Sequence, residues 1–128
     1  MEYILDTHTL IWFLEDSPKL SNEAKKRITN IQNQCFISIC SLWEIAIKLS
    51  INKLSLDVSF DDFKTEIQRN DFTILPIEFE HLQQLQQLKF HHRDPFDRLI
   101  IAQAQSENIA IISKDENFRK YENVTIIW

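Results

Sequence analysis

The sequence predicts an α/β fold in which a mainly parallel sheet is covered by helices on both faces. Short apolar runs alternate with helix-like patterns along the whole chain, the arrangement that calls for parallel strands joined by crossover helices. The first run, Tyr3-Ile4-Leu5, carries no polar residue, as a strand buried on both sides requires. That run ends abruptly in Asp6, and the run Ala110 to Ile112 ends in Ser113-Lys114-Asp115. Right-handed crossovers put all carboxyl ends of the strands on one edge, which is where open α/β sheets place ligands.

After the first strand, Thr7, Leu10, Ile11 and Leu14 fall at helical spacing, with Asp6 or Thr7 as cap and Pro18 beyond the end. Ser21 opens a second helix to about Ile31, with Lys25, Lys26 and Arg27 on its solvated face. Cys35 to Ser38 reads as the second strand. Ser41 begins a third helix, with Leu42, Ile45, Ala46 and Leu49 as its buried stripe. Ser59 caps a fourth helix to about Asn70, and Phe72 to Pro76 is a third strand. Glu78 to Leu88 is helical. Phe90 to Arg93 is a loop, and Asp94-Pro95 starts a strong helix with proline at its first position. A strand over 110–112, a short helix over 116–121 and a last strand over 124–128 complete the chain.

At 128 residues this is expected to be one domain, spanning 1–128, with a core that needs no staples. No apolar run approaches the ~18 residues of a membrane span, and no basic stretch precedes an apolar one at the N-terminus. The expectation is a cytoplasmic protein without membrane contact. Cys35 and Cys40 match neither a disulfide framework nor a zinc set, and read as core thiols of a reducing compartment. The net charge of −5 argues against a non-specific nucleic-acid coat protein. It leaves room for an enzyme whose carboxylates, loaded with divalent metal, present a positive face to phosphate. The complete absence of glycine removes Gly-rich phosphate loops.

The acids carry the chemistry, and each also has a structural explanation. Asp6 is equally a helix cap and a ligand. Glu44 stands three residues after Ser41, at capping-box spacing, and one turn before Lys48, a surface ion-pair partner. Asp94, before proline, is the natural cap of its helix. Asp97 suits the helix dipole in the first turn and is free to serve a site. Asp115 is a turn or a cap, and Ser113 is either a phosphate or water contact or the end of a strand. Brought to one edge, these carboxylates would repel one another unless a cation lay between them. Oxygen donors of this kind suit Mg²⁺ or Mn²⁺. His8 is the one histidine expected near them, with His81, His91 and His92 on helix or loop surface and His91-His92-Arg93 as a phosphate contact.

The segments MEYILDTHTLIWFL, SICSLWEIAIK, HHRDPFDRLIIAQA and IISKDENF, in this order, resemble the acid-bearing motifs of PIN-domain ribonucleases, and most closely those of the VapC-type toxins of toxin–antitoxin systems. The resemblance covers essentially the whole chain and implies a three-layer α/β/α sandwich. It maps the metal-binding and catalytic carboxylates onto Asp6, Glu44, Asp97 and Asp115. It further implies Mg²⁺- or Mn²⁺-dependent endonucleolytic hydrolysis of RNA, leaving a 5′-phosphate and a 3′-hydroxyl. A homodimer silenced by a cognate antitoxin is also implied. Around the acids, Ser113, Arg93, Arg98 and Lys114 are the expected substrate contacts. Leu42, Trp43 and Trp12 suit core packing better than partner contacts. Three other readings compete: a receiver-like signalling domain, a nuclease for DNA or structured nucleic acid, and a non-catalytic interaction module whose acids are only caps. The first is poor, because Thr7 follows Asp6 and the third strand ends in Pro76.

Overall fold

The computed structural model describes all residues, Met1–Trp128. Five strands form one fully parallel sheet in the order β3-β2-β1-β4-β5: β1 Glu2–Leu5, β2 Gln34–Ser38, β3 Thr73–Leu75, β4 Ala110–Ile112 and β5 Ile126–Ile127. The helices are α1 Thr7–Leu14, α2 Asn22–Thr29, α3 Ile39–Ser50, α4 Phe60–Arg69, α5 Phe79–Gln87 and α6 Pro95–Glu107, with a 3₁₀ turn at Glu116–Lys120.

Strand periodicity sorts the core into two layers. Tyr3, Leu5, Cys35, Ile37, Ala110 and Ile112 point to one face, where they meet Leu10, Ile11, Ala24, Ile28, Ile45, Phe63 and Ile67 from α1 to α4. Ile4 and Ile111, the alternate residues, point to the other face against Ile100, Ile101 and Ala104 of α6 and Phe118 of the 3₁₀ turn. The result is an α/β/α sandwich. β1 lies at the centre of the sheet, and the register Leu5↔Ile37 and Leu5↔Ile112 brings the ends of three strands level. Thr9 tightens this edge by donating its hydroxyl to the Ile112 carbonyl at 3.0 Å.

Several local expectations shift. α2 ends at Thr29 and the last strand shrinks to two residues. α3 starts at Ile39, capped by Ser38, whose hydroxyl accepts from the Cys40 amide at 3.1 Å. Ser41 and Glu44 therefore make no capping box, since both already lie inside the helix. His81 is fully buried rather than on the surface, accepting from the Glu78 amide and reaching Glu107 at 2.8 Å. Trp43 is 57% exposed rather than in the core, on the helix face it shares with the exposed Ile39 and Ile47 at i, i+4 spacing. With no glycine available, the left-handed backbone positions fall to Asp16, Asn52, Asp71, Asn108 and Asn123, the residue types that tolerate this region best. Both cysteines are free and buried, and burial pushes their thiols up to about 11 for Cys35 and about 12 for Cys40.

Candidate active site

Asp6 leaves the end of β1 and caps α1. Its Oδ1 accepts from the Thr9 amide at 2.8 Å, and its Oδ2 accepts from the Ser113 hydroxyl at 2.5 Å. It is 4% exposed, and burial raises its pKa against the lowering effect of these hydrogen bonds. Ser113 is fully buried at the end of β4 and also accepts from the Asp115 amide at 3.1 Å. Its expected phosphate contact is thus replaced by a clasp between two acids. Asp115 caps the 3₁₀ turn, accepting from the Asn117 amide at 2.9 Å.

Glu44 reaches the same edge from α3 and is 3% exposed. Thr7, the first residue of α1, donates its hydroxyl to Glu44 Oε1 at 2.7 Å, and Ser41 Oγ stands 3.0 Å from that hydroxyl. Lys48 donates to Oε2 at 2.6 Å. The i,i+4 pair anticipated at the surface therefore has one buried member.

α6 begins where proline forces Asp94 out of helical geometry, and Asp94 Oδ1 accepts from the amides of Phe96 and Asp97 at 2.9 and 3.0 Å. Asp97, one turn in, has a side chain only 17% exposed. Its carboxyl is pushed up to about 8, first by burial and then by the charges of Asp94, Asp115, Asp6 and Glu44. Four elements thus direct mutually repelling carboxylates to one edge of the sheet. His92 lies 3.2 Å from Asp97 Oδ2 and 2.8 Å from the Tyr121 hydroxyl. Burial lowers its pKa, which favours the neutral ring. His8 is therefore not the only histidine at the site. It borders an open cavity of about 190 Å³ together with Asp6, Trp12, Lys114 and Asp115.

Of the expected substrate contacts, Arg93 and Lys114 are exposed. Arg98 is not available to a phosphate. It is 5% exposed, donates to the carbonyls of Leu88 and Lys89 and to the Tyr121 hydroxyl, and lies 3.8 Å over the Phe90 ring. The oxygen chemistry of the acids fits a hard divalent cation. As the side chains stand, no three His, Cys, Asp or Glu groups gather closely enough to form a ready ligand set, each of the four acids having a protein partner. Sequence reasoning named Thr7 only as a cap and His92 only as a surface phosphate contact, and missed their bonds to Glu44 and Asp97. Their signals were adjacency, Thr7 following Asp6 at the sheet edge and His92 standing just before the Asp94-Pro95 helix start.

A search of curated proteins returns no match. Among solved structures, this chain is similar to VapBC-1 from nontypeable Haemophilus influenzae (TM-score 0.74, 18% identity, covering 99% of this chain and 97% of that one). It is also similar to VapBC2 from Rickettsia felis bound to a fragment of promoter DNA (0.73, 17%, 100% and 99%). A third likeness is to FitAcB from Neisseria gonorrhoeae (0.68, 14%, 98% and 96%). At such identities the likeness establishes the fold. The family model described as PIN domain matches residues 3–124, almost the entire chain, and the chain belongs to that family.

Proposed function

We propose that this protein is a Mg²⁺- or Mn²⁺-dependent endoribonuclease and the toxin of a toxin–antitoxin pair, with Asp6, Glu44, Asp97 and Asp115 holding the metal. The observation that carries this reading is the state of Asp97, a carboxyl raised to about 8 by burial and by four acids from other positions on the same edge. An uncompensated cluster of this kind lowers stability, and a cation that neutralises it gives the cluster a purpose. When bound, the metal would supply acidified water at neutral pH and stabilise charge on the phosphodiester.

The chain's own residues do the rest. Ser113 and the Thr9 amide fix both oxygens of Asp6, and Thr7 with Lys48 fixes both oxygens of Glu44. Lys114, which lines the cavity beside Asp6, and the exposed Arg93, one residue before the Asp94 cap, attract the substrate's phosphates. Trp12 and His8 form an aromatic wall beside Asp6. The proposed cognate antitoxin is supported by the relatives, described as VapBC and toxin–antitoxin complexes, and the proposed homodimer by the exposed Ile39, Trp43 and Ile47. No helix is long and apolar enough to cross a membrane, in keeping with action in the cytoplasm.

The test is induced expression of wild type beside Asp6→Asn and Asp97→Asn, with growth followed and RNA ends mapped. Purified protein is then given RNA and DNA, with Mg²⁺ or with chelator. The reading expects growth arrest, RNA ends bearing a 5′-phosphate, dependence on metal, and inert but folded variants. Cleavage by both variants at the wild-type rate would remove both acids from the mechanism, and preference for DNA would replace the substrate.

A further inference from the structure

His92 makes two contacts whose directions can be worked out from the groups around it. Tyr121 is 6% exposed, and its hydroxyl has two neighbours, Arg98 Nη1 at 3.1 Å and His92 Nδ1 at 2.8 Å. Arginine only donates, so the tyrosine oxygen accepts from Arg98 and its single proton is left for His92. Nδ1 of His92 is then the acceptor, and the neutral ring carries its proton on Nε2. That nitrogen is the one facing Asp97 Oδ2, at 3.2 Å. The opposite tautomer would leave the buried tyrosine proton without an acceptor and, once Asp97 is ionised, set a ring lone pair against a carboxylate oxygen.

The start of this chain is held firmly. Arg98 also binds the Leu88 and Lys89 carbonyls, tying down the loop that carries His92, and stacks on Phe90. Asp97 has no other side-chain partner, unlike Asp6 and Glu44, whose two oxygens are both fixed.

We propose that His92 is the positioning residue for Asp97: the line Arg98, Tyr121, His92 fixes the ring tautomer so that Nε2–H holds Oδ2, leaving Oδ1 to face the metal. This rests on the metal-dependent reading above and adds to it the residue that orients the carboxylate. Partners of this kind behind a metal ligand are worth about 10–100-fold in metal affinity.

Two measurements test it. Nitrogen-15 NMR of the metal-free protein at about pH 9, where ring and carboxyl are both deprotonated, reads the tautomer directly, and a proton on Nε2 is expected. Calorimetric titration with Mg²⁺ then compares wild type, His92→Phe, His92→Gln and Tyr121→Phe, each checked for folding by circular dichroism. His92→Phe should bind Mg²⁺ about 10–100-fold more weakly. His92→Gln, which keeps an N–H donor near the Nε2 position, should recover most of that loss, and Tyr121→Phe should fall between them. A proton on Nδ1, equal affinity for wild type and His92→Phe, or a glutamine variant as weak as phenylalanine would each overturn the proposal. If wild type holds the expected tautomer yet binds no Mg²⁺, the metal-dependent reading falls together with any positioning toward metal, while the orientation of the Asp97 carboxylate stands.

Discussion

Asp97→Asn should make the metal-free protein more stable at neutral pH, although it removes an acid on which the proposed activity depends. In the folded chain this carboxyl is raised from 3.8 to about 8. The folded state therefore binds its proton more tightly than the unfolded state, and the contribution to stability falls as pH rises between those values. Below about pH 4 the group is protonated in both states and costs nothing. At about pH 7.5 the ceiling of the penalty is about 5 kcal/mol at 1.36 kcal/mol per pH unit, and relaxation of a partly wet edge reduces it to about 2–3 kcal/mol. Asparagine keeps the size, and its oxygen still accepts from His92. For a chain of this length the gain is a rise of roughly 8–12 °C in melting temperature, read by circular dichroism in chelator at pH 7.5 and again at pH 4. The gap should close at the lower pH, where both proteins carry an uncharged side chain. Mg²⁺ should then reverse the order once it reaches about 1,000 times its dissociation constant, where ligand adds about 4.1 kcal/mol to the form that binds it. A variant less stable than wild type in chelator at pH 7.5, or a gap as wide at pH 4, would refute the account of Asp97 as a buried, repelled acid.

Asp6→Ala should lower stability by about 2–3 kcal/mol in urea denaturation, since it strands the Thr9 amide and the Ser113 hydroxyl at a buried position, whereas Asp6→Asn keeps the cap and should lose less. Lys48→Met should cost about 1–3 kcal/mol by unpairing the buried Glu44 carboxylate, while Glu44→Gln, which leaves only a lysine 38% exposed, should cost less than about 1 kcal/mol; the reverse order in thermal melts would contradict the burial assignment. Asn108→Gly, at a left-handed helix cap with φ 56°, should raise stability by about 0.5 kcal/mol, a gain that chemical denaturation resolves.

The architecture was legible because the strands are short, apolar and separated by helix patterns, and because parallel topology puts every strand end on one edge. The buried faces of α1 and α3 were legible from their helical spacing. What escaped was governed by contacts distant in sequence. Ser38 won the cap of α3 because the chain turns immediately at the end of β2, and Trp43 shares the exposed face of Ile39 and Ile47. His81 gave no apolar signal, yet Gln103 and Glu107 of α6 supply the partners that make its burial tolerable. Arg98 looked like a phosphate contact beside Arg93. Its fate was decided by two backbone carbonyls and a tyrosine 23 residues away.

The acids show why function was harder to read than fold. Asp6, Asp94 and Asp115 are helix or turn caps and also face the candidate site, so the structural and functional explanations do not exclude each other. A cap fixes the rotamer of a carboxylate through backbone amides, which is also what a ligand needs in order to be held in place before metal arrives. Asp97 differs because it caps nothing. Its burial and the charges around it have no return in folding, and its single side-chain contact comes from His92. A residue that destabilises the fold and is nevertheless held in place is the one whose presence folding alone does not explain. For that reason Asp97, more than the caps, separates a nuclease from an interaction module: at neutral pH the module would be improved by Asp97→Asn with or without metal, and the nuclease only until metal is added.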